Sequence, residues 1–562
     1  MRWRELVRYR RWLVPLRMFA YGRRLKRLTP NWSKVPSSKV RKQLGLSSPR
    51  EKILIATSTG GHLSAMTMDT LLTAALQQRG AEVQALLCDA ALPACMLAEK
   101  HILPDEERFL AEGPRPMCRH CFAAGTRAYE ALGVRIRRLS EFLTTEDRGL
   151  AAEFAARTDA ESIQSVTFDG MAVGQQALAG ALRYYAVGDL QREALGDAVL
   201  RRYLEGAVLT AIAGRRLMAE GFTATVLHHA IYVPQGVLAQ AARNAGSRVV
   251  AWNTAYRTGR FIFTHGETYH YALMRDDKSN WADAPFSLRQ RQAVSHYLAS
   301  RRGGGNDWIS YQRSLSAATA TELGLDSNRP IISLMTNVIW DAQLYYAANA
   351  YSTMKDWVLD TIAWFQNRPD LQLVVRIHPA EILNPLAARQ LMLDEIRRCY
   401  PSLPDNVKIV PPDDPLNTYA LADLSDTILI YGTKMGVELA AAGKPVIVAG
   451  EAWIRNKGIA YEASTAAEYH ALLSRLPFGA VHDQGMSERA LRYAYHFFFR
   501  CMIPVSSTEA RQGWPPYKLR VASRDALEKD LGLNLICDGI LYGTPFLWDD
   551  GDADVRTRKT AA

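Results

Sequence analysis

TILIYGTKMGVELAAAGKPVIVAG, Thr427 to Gly450, reads as a buried strand, a Gly-Thr turn, a short helix, a stop and a second strand. Thr433 suits a helix cap, and Gly443 suits a left-handed stop before Lys444-Pro445. A strand–helix–strand of this kind is the repeating unit of an open α/β sheet, whose ligands bind beyond the carboxyl ends of the strands. Lys434 and Glu438 fall within the short helix. The lysine opposes the helix dipole, and a Lys four residues before a Glu is the weaker orientation of an ion pair. A bound phosphate at the helix amino terminus would reverse that penalty. Glu438 would then accept hydrogen bonds from a ribose diol. A plain surface ion pair is the alternative.

The same unit recurs on both sides. EKILIATSTGGH, Glu51 to His62, is a strand running into a Gly-rich turn, followed by a helix and the strand EVQALLCD. TATVLHHA, SRVVAWN and FIFTHG continue that series. A second series begins at Pro330, with IISLMTN, the helix DWVLDTIAWFQNRP, then LQLVVRIHP, NVKIVPP, TILIYGT and PVIVAG. Two alternating series predict an α/β chain with two doubly wound, Rossmann-like domains. The expected organisation is a basic arm over 1–50, a first Rossmann-like domain over 51–325, a second over 326–480, and a helical, aromatic region with a tail over 481–562. RRGGGNDW, Arg301 to Trp308, reads as a flexible loop, and the last residues as disordered.

Charge is unevenly shared. The net charge is +11, and residues 1–50 hold fifteen Lys or Arg against the single acid Glu5, leaving −3 for the remainder. This distribution does not fit a general nucleic-acid binder. Trp3, Leu6, Trp12, Leu16 and Phe19 stand among the arginines of the arm, a mixture suited to an anionic membrane surface. No apolar run reaches the ~18 residues of a membrane span. No cleavable leader is evident, so the expected location is cytoplasmic, peripheral on the inner face of the plasma membrane.

Three groups join Lys434 past strand ends: Arg376, His378 and Pro379 in VVRIHPAE, Thr336 and Asn337 in SLMTNVIWDAQ, and Arg455 and Lys457 in EAWIRNKGIAYE. Together with Thr433 they predict a cationic, donor-rich cleft for a nucleotide. TNVIWDA, RIHPAE, DTILIYGT with Glu438, GKPVIVAG, NKGIAYEAST and RYAYHFFFRCMIP resemble bacterial capsule and surface-polysaccharide biosynthesis proteins of the GT-B glycosyltransferase type, over roughly residues 330 to 505. The resemblance implies a nucleotide-sugar donor in the second domain and a glycan or lipid-linked acceptor in the first. It gives His378, Pro379 and Glu438 the role of nucleotide contacts. It departs at the turn, which is Tyr-Gly-Thr-Lys rather than the Asp-Tyr-Ser-Ser of polyol-phosphate polymerases.

The expected reaction is glycosyl transfer, with a base in the first domain and with Lys434, Arg376 and Lys457 stabilising the leaving phosphate. His62, in a turn similar to the Gly-Gly-His turn of lipid-linked sugar transferases, His229 and Glu267 are the base candidates, with His265 beside them. A sugar-nucleotide epimerase of the same architecture and a non-catalytic scaffold among other polysaccharide-assembly proteins are the alternatives.

Four of the seven cysteines cluster: Cys88 and Cys95 in CDAALPAC, and Cys118 and Cys121 in CRHC. Four thiolates suit structural zinc or an iron–sulfur cluster, and spacing does not separate the two. Cys399, Cys501 and Cys537 are scattered and read as core.

Overall fold

A computed structural model describes residues 13–36, 51–305, 307–311, 319–344, 346–479 and 483–549. Trp3 and Trp12 of the arm and residues 550–562 lie outside them. The first sheet contains β1 (Lys52–Ser58), β2 (Glu82–Leu87), β3 (Arg135–Arg138), β4 (Ala224–His228), β5 (Arg248–Thr254) and β6 (Arg260–His265). The second contains β7 (Ile331–Met335), β8 (Gln372–Arg376), β9 (Val407–Val410), β10 (Thr427–Ile430), β11 (Val446–Val448) and β12 (Tyr461–Glu462). A further short strand, β13 (Ile503–Pro504), returns to the first sheet beside β6, and two later strands, Thr508–Ala510 and Tyr517–Leu519, pair with each other.

The orders are β13-β6-β5-β4-β1-β2-β3 and β12-β11-β10-β7-β8-β9. In the first, β3, β2, β1, β4 and β5 run parallel while β6 and β13 pair antiparallel. Every pairing in the second is parallel. Read outward from β7, the second sheet has the 3-2-1-4-5-6 order of a dinucleotide-binding fold. The expected pair of doubly wound sheets is therefore present.

The opening stretch folds as its apolar pattern requires. β10 and β11 are buried at every position, as strands covered on both faces must be. The helix between them spans Met435–Ala441, and Gly443 takes the left-handed φ of +85° that ends it. Lys434 sits at the cap rather than inside the helix, and no side-chain cap bond forms there. Thr433 is one residue too early to be the cap, although its hydroxyl accepts from Met435 N at 3.4 Å.

The chain then crosses back. After the helix Gln484–Tyr495 and a π-helical turn over His496–Arg500, β13 and the helix Leu531–Tyr542 pack against the first sheet. Ile503, Leu533, Ile536 and Ile540 share one core with Met68, Leu72 and Trp252. This return ties the two halves together. Among the described residues, no helix is long and apolar enough to cross a membrane.

Candidate active site

Strand order reverses between β1 and β4 in the first sheet and between β7 and β10 in the second. Connections leave such a point in opposite directions, which opens a crevice at the carboxyl ends of the strands. β1 delivers the turn Thr59–His62 and β4 delivers His228 and His229. β7 delivers Thr336 and Asn337, and β10 delivers Tyr431–Lys434. The two crevices meet. The Tyr232 hydroxyl donates to Asp341 Oδ1 at 3.2 Å and accepts from Ala342 N at 3.0 Å, joining the loop after β4 to the loop after β7. The Lys434 ammonium lies 4.7 Å from the ring of Tyr256, just past β5.

The first wall is a stack of histidines. The rings of His62 and His228 are 4.6 Å apart, as are those of His228 and His229. Burial, helped by neighbouring cations, pushes His62 down to about 4 and His229 to about 3, and drives His228 well below its ordinary value. Arg183, on the helix Val173–Tyr185, contributes to all three shifts. All three are therefore neutral imidazoles at physiological pH. His62 Nδ1 accepts from Ala65 N at 3.2 Å and so caps the helix Leu63–Gln78. His229 Nδ1 is buried without a partner among the described residues. Its backbone is held at φ +65°, with Ala230 at +55° and Tyr232 at +69°. Such conformations cost of order 1–3 kcal/mol each and persist where surrounding structure enforces them, often at functional sites.

The second wall centres on Glu438. Lys434 Nζ donates to Glu438 Oε1 at 3.1 Å, and Arg301 Nε stands 3.0 Å from Oε2. The Tyr419 hydroxyl donates to the same Oε2. Burial alone would raise the Glu438 carboxyl, but Arg301 and Lys434 outweigh it and hold it at about 2. Burial and Arg301 in turn lower Lys434 to about 8. The Lys434–Glu438 pair is thus neither a surface pair nor an open ribose acceptor, because both carboxylate oxygens are engaged. His378 lies alongside, pushed to about 4 by burial, Lys434 and Arg376. Its backbone N–H donates to Thr336 Oγ1 at 2.9 Å, and its Nδ1 accepts from Ala380 N at 3.0 Å. Asn337 Oδ1 is buried without a partner among the described residues.

Several predicted residues serve elsewhere. The Arg376 guanidinium donates to the carbonyls of Pro411, Asp414 and Leu416, at 2.5, 3.3 and 3.2 Å, and so fixes the loop after β9. Lys457 Nζ donates to the carbonyls of Met274 and Asp276, each at 2.9 Å. Arg455 is spent on Gly450 O, Ala348 O and Ala463 O. Pro379 caps a four-residue helix, Ala380–Leu383. Glu267 forms a 2.8 Å surface pair with Arg275 instead of joining the histidines. His265 Nε2 meets Thr544 O at 2.9 Å and its ring stacks on Phe546. Arg301, Tyr419 and Asp341 complete the cleft although sequence reasoning gave none of them a role; Asp341 stands in the quoted TNVIWDA and Arg301 opens RRGGGNDW. RRGGGNDW is not loop from its first residue, since Arg301 is the last residue of the helix Leu288–Arg301.

Asp276, His496 and Cys501 gather their donor atoms within 4.8 Å. The Arg500 guanidinium faces His496 Nδ1 at 3.4 Å, so Nε2 carries the proton and donates to Asp276 Oδ2 at 2.6 Å. With Lys457 on the adjoining carbonyl, this group is a structural hydrogen-bond knot and not an open ligand set.

Residues 266–496 match the family model described as capsule polysaccharide biosynthesis protein. No curated protein matches the chain. Among solved structures, the β-Kdo 2,4 transferase of Thermosulfurimonas dismutans KpsC aligns at 15% identity over 49% of this chain and 80% of its own, with a TM-score of 0.32. The spinosyn rhamnosyltransferase SpnG aligns at 14% over 80% and 96%, TM-score 0.27. The UDP-GlcNAc 2-epimerase of Neisseria meningitidis aligns at 10% over 79% and 95%, TM-score 0.25. These TM-scores are low, and the fold reading rests on the two sheets themselves.

Proposed function

We propose that this chain, whose residues 266–496 match the capsule polysaccharide biosynthesis family model, is a glycosyltransferase that moves a sugar from a nucleotide donor to a glycan acceptor. The observation that carries the reading is the pairing of the two crevices. An unpartnered neutral imidazole, His229, stands on one wall, and the Lys434 cation stands on the other. The donor nucleotide binds at the β7/β10 crevice, with Asn337 Oδ1 as acceptor for its N–H or O–H groups and Lys434 against its phosphate. His229 removes the proton from an acceptor hydroxyl as that oxygen bonds to the anomeric carbon. The bond from that carbon to the phosphate oxygen breaks, and the nucleotide leaves with the negative charge that Lys434 faces.

The donor half is tested by titration calorimetry of uridine, guanosine and cytidine nucleotides against the full chain. One base series binds, and Lys434→Met and Asn337→Ala each weaken it at least tenfold. If no nucleotide binds the folded protein, the transferase reading fails and a scaffold remains. Turnover of a bound nucleotide-sugar to its C2 epimer without any acceptor would instead identify an epimerase.

A further inference from the structure

The four clustered cysteines take no part in the cleft just described. Cys118 and Cys121 lie one turn apart on the helix Arg115–Glu130 and so share a face. Cys88 follows β2, and its N–H donates to Ser58 O at 2.7 Å, at the entrance of the Gly60-Gly61 turn. The N–H of Gly61 donates to Cys121 Sγ at 3.0 Å. The loop carrying Cys95 comes to the same turn, since a Cβ on Gly61 would meet Leu97 at 3.1 Å. All seven cysteines are free, so no disulfide occupies the cluster.

Two observations bear on what these thiols hold. The Tyr21 hydroxyl, from the arm helix Val14–Leu28, is buried without a partner among the described residues and lies 2.1 Å from where a Cβ of Gly61 would stand. A buried hydroxyl needs an acceptor, and the Cys121, Cys95 and Cys118 thiols are close enough to act on this one. Spacing then selects the centre. Tetrahedral zinc with bonds of about 2.3 Å brings its sulfurs to roughly 3.8 Å of one another. Among the described residues, no three of these sulfurs gather within 4.8 Å. Cysteines that ligate several sulfide-bridged irons stand further apart.

We propose that Cys88, Cys95, Cys118 and Cys121 ligate an iron–sulfur cluster. The cluster joins the arm helix, the helix Arg115–Glu130 and the turn that carries His62, and Tyr21 and the Gly61 N–H donate to its sulfurs. It holds structure and carries no step of glycosyl transfer.

The test is the iron and acid-labile sulfide content of the full chain, purified without oxygen or reconstituted with ferrous iron and sulfide. Iron and sulfide should appear in equal amounts, about two or more of each per chain. A visible charge-transfer absorption should bleach on reduction with dithionite. Cys118→Ser and Cys121→Ser should lose most of the iron, whereas Cys399→Ser, at an exposed and separate position, should retain it. If the serine variants do not fold, the wild-type counts decide. One zinc per chain without sulfide overturns the proposal. So does a metal-free folded chain whose four thiols react freely, or iron that survives both serine variants.

Discussion

Arg301 and Glu438 form a buried ion pair at 3.0 Å that spans the helix Leu288–Arg301 and the helix after β10. Breaking one side of such a pair leaves an uncompensated charge, which costs about 3–5 kcal/mol. Arg301→Ala should therefore lower stability by roughly that amount in urea denaturation. Replacing both residues by leucine removes this pair but leaves Asp307, which Arg301 also meets, and Lys434 without those partners, so it should recover only part of the loss. Nucleotide affinity should not recover in the double variant, because Lys434 then loses the carboxylate that orients it. Recovery of both stability and affinity would exclude this pair from the donor site.

His229 is the proposed base. His229→Gln should reduce the turnover of a bound nucleotide-sugar by about 10²–10⁴-fold, the usual worth of general base catalysis. Nucleotide affinity should stay within twofold. His62→Gln should act differently. It removes the Nδ1 cap of the helix Leu63–Gln78 and should cost about 1 kcal/mol of stability. Equal kinetic loss from both substitutions would leave the base unassigned to His229.

Burial of neutral histidines sets a pH dependence. His62 and His229 titrate near 4 and 3 in the folded chain and near 6.5 when unfolded. Between those values the unfolded state binds more protons, so stability falls as pH drops from 6.5 towards 4. Each histidine contributes a slope of up to about 1.4 kcal/mol per pH unit. Asp69, raised to about 7 by burial, pulls the other way, because the folded chain keeps its proton while the unfolded chain loses it. The two effects separate by difference. Chemical denaturation of His229→Gln across pH 4.5–7 should show a shallower slope than the wild type, and an unchanged slope would show that His229 is charged in the native state.

The Gly60-Gly61 turn is legible as a special backbone, but its reason is not. The sequence suggests close approach to a ligand. The structure shows close approach to the cysteine helix, where a Cβ on Gly60 would meet Cys121 O at 2.5 Å and Gly125 N at 2.8 Å. Both are backbone atoms that cannot rotate away. Gly60→Ala should thus cost about 1–3 kcal/mol through overpacking. Gly61→Ala meets the Tyr21 side chain instead and should be relieved by undocking the arm helix, read as faster proteolysis near residue 21.

The same contrast runs through the whole chain. Both sheets were readable because each core strand is a short apolar run ended by Gly, Pro or a polar turn, a local signal. The crevice positions of Thr336, Asn337, His378 and Lys434 followed from strand ends alone. Partner choice was not local. Arg376 and Lys457 stand past strands as a phosphate-binding cation would, yet their donors are consumed by carbonyls of other segments. Arg301 looked like the edge of a Gly-rich loop, and only the packing of its helix against Tyr419 and Glu438 gives it a role. His265 ends β6 and Glu267 follows two residues later, but β6 is at the antiparallel side of the sheet, away from the β1/β4 reversal.

The arm helix Val14–Leu28 has two faces. Val14, Met18 and Leu25 are buried, which leaves the helix docked on the body. Leu16 and Phe19 are each 63% exposed, and Arg23, Lys26 and Arg27 follow on the exposed side. Apolar side chains flanked by cations suit an anionic bilayer, where each cation near the surface adds about 1 kcal/mol and the apolar groups insert. Deleting the arm would also uncover the core beneath it, so the test must keep the docked face. Leu16→Glu with Phe19→Glu changes only exposed positions. The full chain should co-sediment with vesicles containing phosphatidylserine and less with neutral ones. The double variant should bind several-fold more weakly while keeping the wild-type melting temperature. Salt should weaken both, because screening acts over ~8 Å at physiological ionic strength, but only the wild type should retain a salt-resistant fraction through Leu16 and Phe19. Equal co-sedimentation of wild type and double variant would remove this face as the membrane contact and assign the exposed cations to a protein partner.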